Sequence, residues 1–426
     1  MDILRLAREE FDYTVAVRRY LHEHPEAAPE EQLETMAYIE RQLDGMEIPH
    51  LRIEGGGILG FIGPEDADRT LLLRADIDAL KIQEDERNLR CERNCVSKKP
   101  GLMHACGHDA HMAMLLTEAK ILKRMENELP GRIILLFEEG EEGGGNIKKI
   151  CRYIGESRLR IDGCYAAHVR WDIPSGRIAL CEGGSMCGQM RFLLTVEGQS
   201  GHGSRPDLGR SVIDCFHQIY SAWSMLRMNT VRPDTSLTWS ACSLSAGVSH
   251  NVLPDHLNCE GTIRMEDQES GDRFWRAFHC AAVMTAQQCG CRAELRRVMY
   301  LLPLSSDGPC LDLFRSTAKE ALGSGNVIEA KMWMASESFS YLSAMYPSVF
   351  AFIGIANEEK GCGANHHTAQ FDLDEDGMIA GVASAVAYAA AFLKDKPDTS
   401  GFVPACRDMD ALLSMVEEQP DVKLCY

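Results

Sequence analysis

The chain has 426 residues, of which 45% are hydrophobic, and its formal net charge is −19 at pH 7. This length predicts more than one domain, with enough apolar residues for a true core. The acidic balance argues against nucleic acid as a partner, because phosphate binding needs basic surface. No apolar run suggests a membrane span.

The cysteines and the first residues suggest where the protein is found. The 17 cysteines are an odd number without framework spacing, which in a chain of this length is typical of reduced thiols. The start, residues 1–3, leads directly into a charged helical pattern rather than a signal peptide. We therefore expect a cytoplasmic protein.

The first 80 residues predict two helices followed by strands. Helical spacing covers residues 2–23 and 30–44, and strand-like runs follow at 57–62 and 70–73. The last run leads into Asp76 and Asp78, which share a face because side chains alternate along a strand. An apolar strand that ends in carboxylates is typical of the ligand-binding edge of an α/β sheet. The alternative is a solvated strand end.

Residues 103–111 contain three histidines, one cysteine and one aspartate. Cys106 and His108 flank a glycine, and this spacing suits a tight turn that presents a thiol and an imidazole to one ion. A helical pattern begins at Asp109, which is a candidate N-cap. A buried cysteine beside surface histidines is the alternative, and the acids and histidines further along the chain argue against it.

A second apolar strand, 131–137, runs into the acids Glu138, Glu139, Glu141 and Glu142. Like charges this close repel one another unless a cation is present, although a solvated acidic turn is the usual alternative. The next apolar strand carries His168, which becomes a candidate ligand only as part of the set.

The pattern changes after residues 183–184 to strand, helix, two strands, helix and strand, which predicts a ferredoxin-like α+β domain. Strand–helix units of the earlier kind resume near residue 300. We therefore predict an α/β fold with two domains and a tail. The catalytic domain with a central mixed sheet spans 1–187 and 299–394, the inserted lid domain spans 188–298, and the tail spans 395–426.

The motifs, taken in this order, resemble those of the M20 metallopeptidases. The cysteine-containing motif is similar to that of the amidohydrolase branch, which includes N-acyl-amino-acid and hippurate hydrolases. The similarity extends to about residue 394. It is carried by residues 18–26, 73–80, 103–109, 141–144, 201–206, 251–255, 336–339 and 367–372.

The resemblance implies two divalent metal ions, Mn²⁺ or Zn²⁺. Their ligands would be Cys106, His108, Glu142, His168 and His367.

It also implies that Glu141 is the general base, that Asp76 is a supporting carboxylate, and that His202 of the lid polarises the scissile carbonyl. Asn251 and Arg264 are expected to bind a substrate carboxylate, since arginine grips carboxylates through two parallel hydrogen bonds. The lid is expected to form a homodimer surface.

The chain departs from the family's pattern near the acids. Gln-Pro-Ala usually precedes the paired glutamates, where this chain has Glu138, Glu139 and Gly140. An acid usually follows the position of Glu337, where this chain has Ser338. The proline common after the final ligand is also missing. These departures bear on substrate preference more than on the type of reaction.

The leading hypothesis is a two-metal amidohydrolase that cleaves an N-acyl amino acid or a related small amide. The first alternative is a dipeptidase or aminopeptidase of the same superfamily. The second is a thiol-rich metal-binding protein without catalytic activity, in which clustered cysteines rather than His and Glu would hold the metal.

Overall fold

The computed structural model describes residues 2–143 and 145–417, and the chain divides into two compact units. Among the described residues, the first unit comprises 2–185, 305–332 and 338–413, and the second comprises 186–304, 333–337 and 414–417. The segment 188–298, predicted as an inserted domain, falls within the second unit. Of the predicted tail, 395–413 belong to the first unit, and 418–426 lie outside the described residues.

Helices form where the sequence shows helical spacing, with one break. The predicted helix over 2–23 is two helices separated at Glu10, whose carboxylate accepts hydrogen bonds from Lys120 and Arg124. The helices are α1 (Ile3–Glu9), α2 (Phe11–Glu23), α3 (Leu33–Gly45), α4 (His108–Arg124), α5 (Ile147–Ser157), α6 (Val212–Thr230), α7 (Gln268–Gln288), α8 (Gly308–Leu322), α9 (Ser340–Ser343), α10 (Gly377–Asp395) and α11 (Met409–Glu417).

The strands coincide with the apolar and alternating runs. They are β1 (His50–Ile53), β2 (Gly57–Ile62), β3 (Thr70–Asp76), β4 (Arg132–Glu138), β5 (Gly163–Pro174), β6 (Ile178–Leu180), β7 (Gly184–Met186), β8 (Gly188–Glu197), β9 (Gly201–His202), β10 (Leu237–Ala246), β11 (Val252–Leu253), β12 (His256–Met265), β13 (Arg292–Leu301), β14 (Leu304–Ser305), β15 (Val327–Glu329) and β16 (Ser348–Ala356).

The first unit is built on a mixed sheet whose described strands run in the order β1-β2-β4-β3-β5-β16-β6-β15. At its centre β4, β3, β5 and β16 pair in parallel, and β3 is buried along its whole length. Such strands read as continuous apolar runs because both faces of the sheet are covered. Asp76 pairs in register with Glu138, so both carboxylates emerge at one edge.

The alanine-rich helix α10 corrects the expectation that no apolar run reaches the length of a membrane span. By length and composition it could cross a membrane, although no apolar run was expected to reach that length. In the fold, 78% of its apolar window is buried inside the protein. That burial is typical of a core helix, since a helix that is apolar on all sides has no face suited to water.

The second unit has the predicted ferredoxin-like topology. Its main sheet runs in the order β10-β12-β8-β13, and all three pairings are antiparallel. Two helices, α6 and α7, pack together through Trp223, whose ring stacks 3.9 Å from that of Phe278. The indole N–H of Trp223 donates to the Phe278 carbonyl at 2.8 Å, so the buried polar atom is satisfied.

One buried acid in the first unit makes stability depend on pH. Glu118 of α4 is 5% exposed, and burial raises the pKa of its carboxyl from 4.5 to about 8. Between these values the unfolded carboxyl is ionised while the folded one keeps its proton. The folded state therefore loses stability as pH rises from about 4.5 to about 8, and the loss is complete above that range.

Glu118→Gln should remove this loss. At pH 8.5 the variant is expected to unfold at a higher temperature than the parent protein. Its free energy of unfolding should be larger by on the order of a few kcal/mol. The difference should shrink at pH 5.5. Calorimetry at both pH values measures it, with Glu156→Gln on the exposed side of α5 as the matched control. A constant difference across pH would contradict the assignment.

Candidate metal centre

The turn that presents Cys106 and His108 depends on the glycine between them. Gly107 has a left-handed backbone (φ 89°, ψ 16°) and directly precedes α4. A Cβ at this position would lie 2.4 Å from Cγ2 of Val169 in β5. Only glycine therefore satisfies both the backbone conformation and the close packing.

Asp109 is not the cap of α4 that the sequence suggested, because it lies inside the first turn. Its carboxylate is 2.9 Å from Nε of Arg18 and 2.7 Å from Nδ1 of His22, both from α2. His22 also contacts Glu84 through Nε2, at 2.9 Å. This buried network joins α2 to the start of α4, and His22 has a structural role.

The predicted ligands converge in the first unit. The Sγ atom of Cys106 lies 3.5 Å from Nε2 of His168 and 3.3 Å from Nε2 of His367. The His367 nitrogen is 3.1 Å from Oε1 of Glu142. Donor atoms of Cys106, His108 and His168 lie within 4.8 Å of one another, as do those of Cys106, Glu142 and His367. Cys106 thus belongs to two neighbouring donor groups.

The tautomers of two histidines follow from their other contacts. The Nδ1–H of His168 donates to the carbonyl of Val169 at 2.6 Å, which leaves Nε2 as the atom that faces Cys106. Burial, reinforced by nearby His111, holds the pKa of His168 well below its usual value, so the ring is neutral. His108 directs Nδ1 toward Asp78, at 3.2 Å, and can coordinate through Nε2.

His111 lies beside these candidate ligands, but both of its ring nitrogens form hydrogen bonds to other groups. Its Nδ1 donates to Oδ1 of Asp76 at 2.6 Å, and its Nε2 accepts the backbone N–H of Val169 at 2.9 Å. Both ring nitrogens are used, so His111 orients its neighbours rather than holding a metal, although distance alone groups it with Asp76 and His108.

The two aspartates after β3 have different partners. Asp78 contacts Nδ1 of His108, and its Oδ2 accepts the backbone N–H of Glu142 at 2.9 Å. Asp76 binds Arg74 at 2.8 Å, and its Oδ2 is 3.6 Å from Nε2 of His108. Burial opposes ionisation of Asp76, but the nearby His108 and the guanidinium of Arg74 hold its pKa well below the usual value. Asp78 supports a ligand directly, a role the sequence did not assign.

The donor atoms suit a cation. Oε1 of Glu142 is buried and lies 3.1 Å from Nε2 of His367. Burial and the charge of Glu142 raise the pKa of the Cys106 thiol well above its usual value, and a bound divalent ion reverses that shift. Sulfur, nitrogen and oxygen donors together fit a divalent transition metal.

His367 reaches the centre from a strained loop. Its φ of 61° is left-handed, and its backbone N–H donates to the Ala105 carbonyl at 2.9 Å. Strain of this kind persists where the surroundings fix the backbone, as they do at many functional sites. Neighbouring His366 is buried, and its ring packs 4.7 Å from that of Phe371.

The remaining predicted site residues belong to the second unit. His202 is exposed on β9, and its Nδ1 lies 2.7 Å from Oγ of Ser204. Asn251 precedes β11, and its carbonyl accepts the N–H of Gly203 at 2.8 Å. Arg264 of β12 donates to Oγ of Ser336 at 2.6 Å. The five predicted ligands, Glu141 and Asp76 belong to the first unit, and these three residues belong to the second.

The cysteine arrangement argues against a thiol-based metal store. Among the described residues, each set of three or more donor atoms within 4.8 Å contains histidine and at most one cysteine. The described cysteines form no disulfide.

Comparison with known proteins agrees with this centre. The profile of the peptidase family M20/M25/M40 matches residues 72–391. The chain is 31% identical to IAA-amino acid hydrolase ILR1-like 5 of Arabidopsis thaliana, over 92% of this chain and 90% of that protein. It is 32% identical to N-acetyl-L-cysteine deacetylase of Bacillus subtilis (strain 168), over 86% of this chain and 84% of that one.

A solved structure has the same fold. The YxeP protein of Bacillus subtilis, described as a dinuclear metal binding peptidase from the M20 family, superimposes with a TM-score of 0.75 at 27% identity. The match covers 91% of this chain and 99% of that one. Fold and site thus define a metal-binding hydrolase of amide bonds. The chain belongs to the peptidase family M20/M25/M40.

Gly107→Ala should weaken metal binding on the order of 10- to 100-fold, because the added Cβ displaces Val169 and the ligand turn. Elemental analysis after dialysis against graded metal buffers measures the change. Gly101→Ala is the control: its φ is 76°, but a Cβ there meets nothing within 4 Å. Equal metal loss in both variants would show that backbone strain, rather than the contact with Val169, governs the site.

Proposed function

We propose that the chain is a two-metal amidohydrolase that cleaves N-acyl amino acids, or related small amides, to a carboxylate and a free amino acid. The observation that carries this proposal is the position of Cys106 in two donor groups, with Glu141 and Glu142 beside them. The names of the relatives, a hydrolase of IAA-amino acids and a deacetylase of N-acetyl-L-cysteine, support this substrate class.

Two divalent ions, Mn²⁺ or Zn²⁺, would be held by Cys106, His108, Glu142, His168 and His367, and they would polarise the substrate carbonyl and lower the pKa of a water molecule. Glu141 takes the proton from the attacking water and delivers it to the leaving amine. Its Oε1 accepts the backbone N–H of Ser338 at 3.0 Å, which fixes the carboxylate. Asp78 holds the ligand His108 in orientation, and Asp76 holds His111 beside the ligands.

The second unit supplies the other roles in this proposal. His202 donates to the oxygen on which negative charge develops, since such donors contribute strongly to acyl-transfer catalysis. Arg264 and Asn251 bind the carboxylate of the amino-acid part. A protein with net negative charge needs a local cation to bind an anionic group. Arg264 is a candidate because its guanidinium contacts the neutral hydroxyl of Ser336, which leaves its positive charge available to a substrate carboxylate.

Glu141→Gln should keep its metals and lose turnover by at least about 10²-fold, because an amide cannot take the proton. Elemental analysis and kcat on an N-acyl amino acid are measured together. Glu142→Gln is the matched control and should lose metal. The reverse pattern would exchange the two roles.

Substrates with a free carboxylate should be preferred. In a panel of N-acyl amino acids, their methyl esters and free dipeptides, product mass spectrometry should show cleavage of the N-acyl acids. Esterification should raise KM roughly tenfold or more, the effect of losing a hydrogen bond to a charged group.

In Arg264→Ala the penalty for the ester should largely vanish. Equal turnover of acid and ester by the parent protein would end the carboxylate assignment. A preference for free dipeptides would favour the dipeptidase alternative.

The same unit supports a homodimer proposal. Strand β10 is an edge strand of its sheet, and α6 packs beside it through Tyr220 and Trp239, with ring centroids 5.2 Å apart. Large apolar side chains are exposed on these two elements, including Met228 at 84% and Leu244 at 56%. An unpaired strand edge beside apolar surface is suited to pairing with a second copy.

Leu244→Arg should therefore shift the protein to a monomer, because a charge on the edge strand opposes pairing. Light scattering after size-exclusion chromatography measures the mass. Met284→Arg on α7 is the control and should leave the mass unchanged. A parent protein that is monomeric at micromolar concentration would contradict the proposal.

A further inference from the structure

A buried bridge of charged and polar groups lies behind the proposed general base. Glu138 ends β4, and its Oε2 accepts from Nε of Arg74 at 2.7 Å. Its Oε1 accepts from the hydroxyl of Ser338 at 2.6 Å. All three side chains are buried, so each of these contacts is shielded from water.

Arg74 links this bridge to the metal centre. One terminal nitrogen donates to Oδ2 of Asp76 at 2.8 Å, and the other donates to Oγ of Ser338 at 2.9 Å. Asp76 in turn holds His111. A buried guanidinium is tolerated when carboxylates and hydroxyl groups satisfy its donors, and removal of one partner is costly.

Ser338 links the bridge to the base. Its hydroxyl donates to Glu138, and its backbone N–H donates to Oε1 of Glu141. A displacement of residue 338 therefore moves a hydrogen-bond donor of Glu141 as well.

Across this contact Glu138 supplies a carboxylate and Ser338 supplies a hydroxyl group. An exchange of the two groups between the positions would keep one carboxylate at the contact. Arg74 keeps a carboxylate for charge balance in either arrangement.

We propose that Glu138 and Ser338 are a reciprocal pair of positioning residues that, through Arg74, fixes Glu141 beside the metal centre. This inference rests on the proposed function for the role of Glu141. Small displacements of a reacting group cost much turnover, so the pair acts on kcat rather than on substrate binding.

Single substitutions break the pair in opposite ways. Glu138→Gln leaves Arg74 one carboxylate short. Ser338→Asp places a second carboxylate against Glu138, and like charges at this distance repel. The double variant Glu138→Gln/Ser338→Asp has one carboxylate again, on the opposite side.

The test is a double-substitution cycle on the metal-loaded full-length protein. Each single variant should lose kcat about tenfold or more with KM nearly unchanged, and the double variant should recover most of the loss. Glu139→Gln is the matched control, because Glu139 binds the N–H of Gln32 rather than the bridge. Glu139→Gln should neither lower kcat nor rescue Ser338→Asp.

Crystal structures of the variants report the position of Glu141 without turnover. Its carboxylate should leave the residue 338 amide in both single variants and return in the double variant. Additive losses of kcat, or a Glu141 that stays in place in the single variants, would overturn the inference. A parent protein inactive on N-acyl amino acids would overturn the proposed function alone, and the Glu141 positions would still decide the positioning role.

Discussion

The contact between Gly107 and Val169 is the constraint on which the metal centre depends. Val169 meets the turn at Gly107, donates its N–H to His111 and accepts the Nδ1–H of His168. One apolar residue of β5 thereby fixes the position of the turn that carries Cys106 and the orientation of the two imidazole rings. The catalytic chemistry uses none of its atoms, yet three site residues are placed by it.

Charge balance is the second constraint. The carboxylates at the ends of β3 and β4 are buried, and each has a cationic or hydrogen-bonding partner: Asp76 and Glu138 share Arg74, and Asp78 contacts His108. Buried charge without such partners would be expensive. The carboxylates at this edge of the sheet are therefore held in defined positions by their partners, and they do not form a diffuse negative patch.

The spacing of apolar residues predicted many helices and strands correctly. An element that buries one face repeats apolar residues at its own period, so the sequence records that burial directly. Helices α6 and α7 and the order of the ferredoxin-like unit follow from that spacing. Spacing predicted Cys106 and His108 as ligands, whereas it assigned no role to Asp78, His111 or Arg74. Their roles depend on the parallel register of β3, β4 and β5, which brings together residues distant in sequence.

Two other expectations failed because tertiary contacts outweigh local preference. Asp109 has the chemistry of a cap, but Arg18 and His22 bind its carboxylate and Gly107 takes the cap position. By length and composition alone α10 matches a membrane span, and its tertiary packing makes it a core helix instead. Its burial inside the protein could be read only from the fold.

The contact of His367 with Cys106 has a consequence for folding. These two residues are 261 positions apart, and residues 186–304 and 333–337 of the second unit lie between them. Contacts at such separation form slowly, because the chain must first close a very large loop. A ribosome-bound chain that ends before His367 contains Cys106, His108 and His168, but it cannot complete the group of Cys106, Glu142 and His367. That donor group therefore forms only after nearly all of the chain has been synthesised.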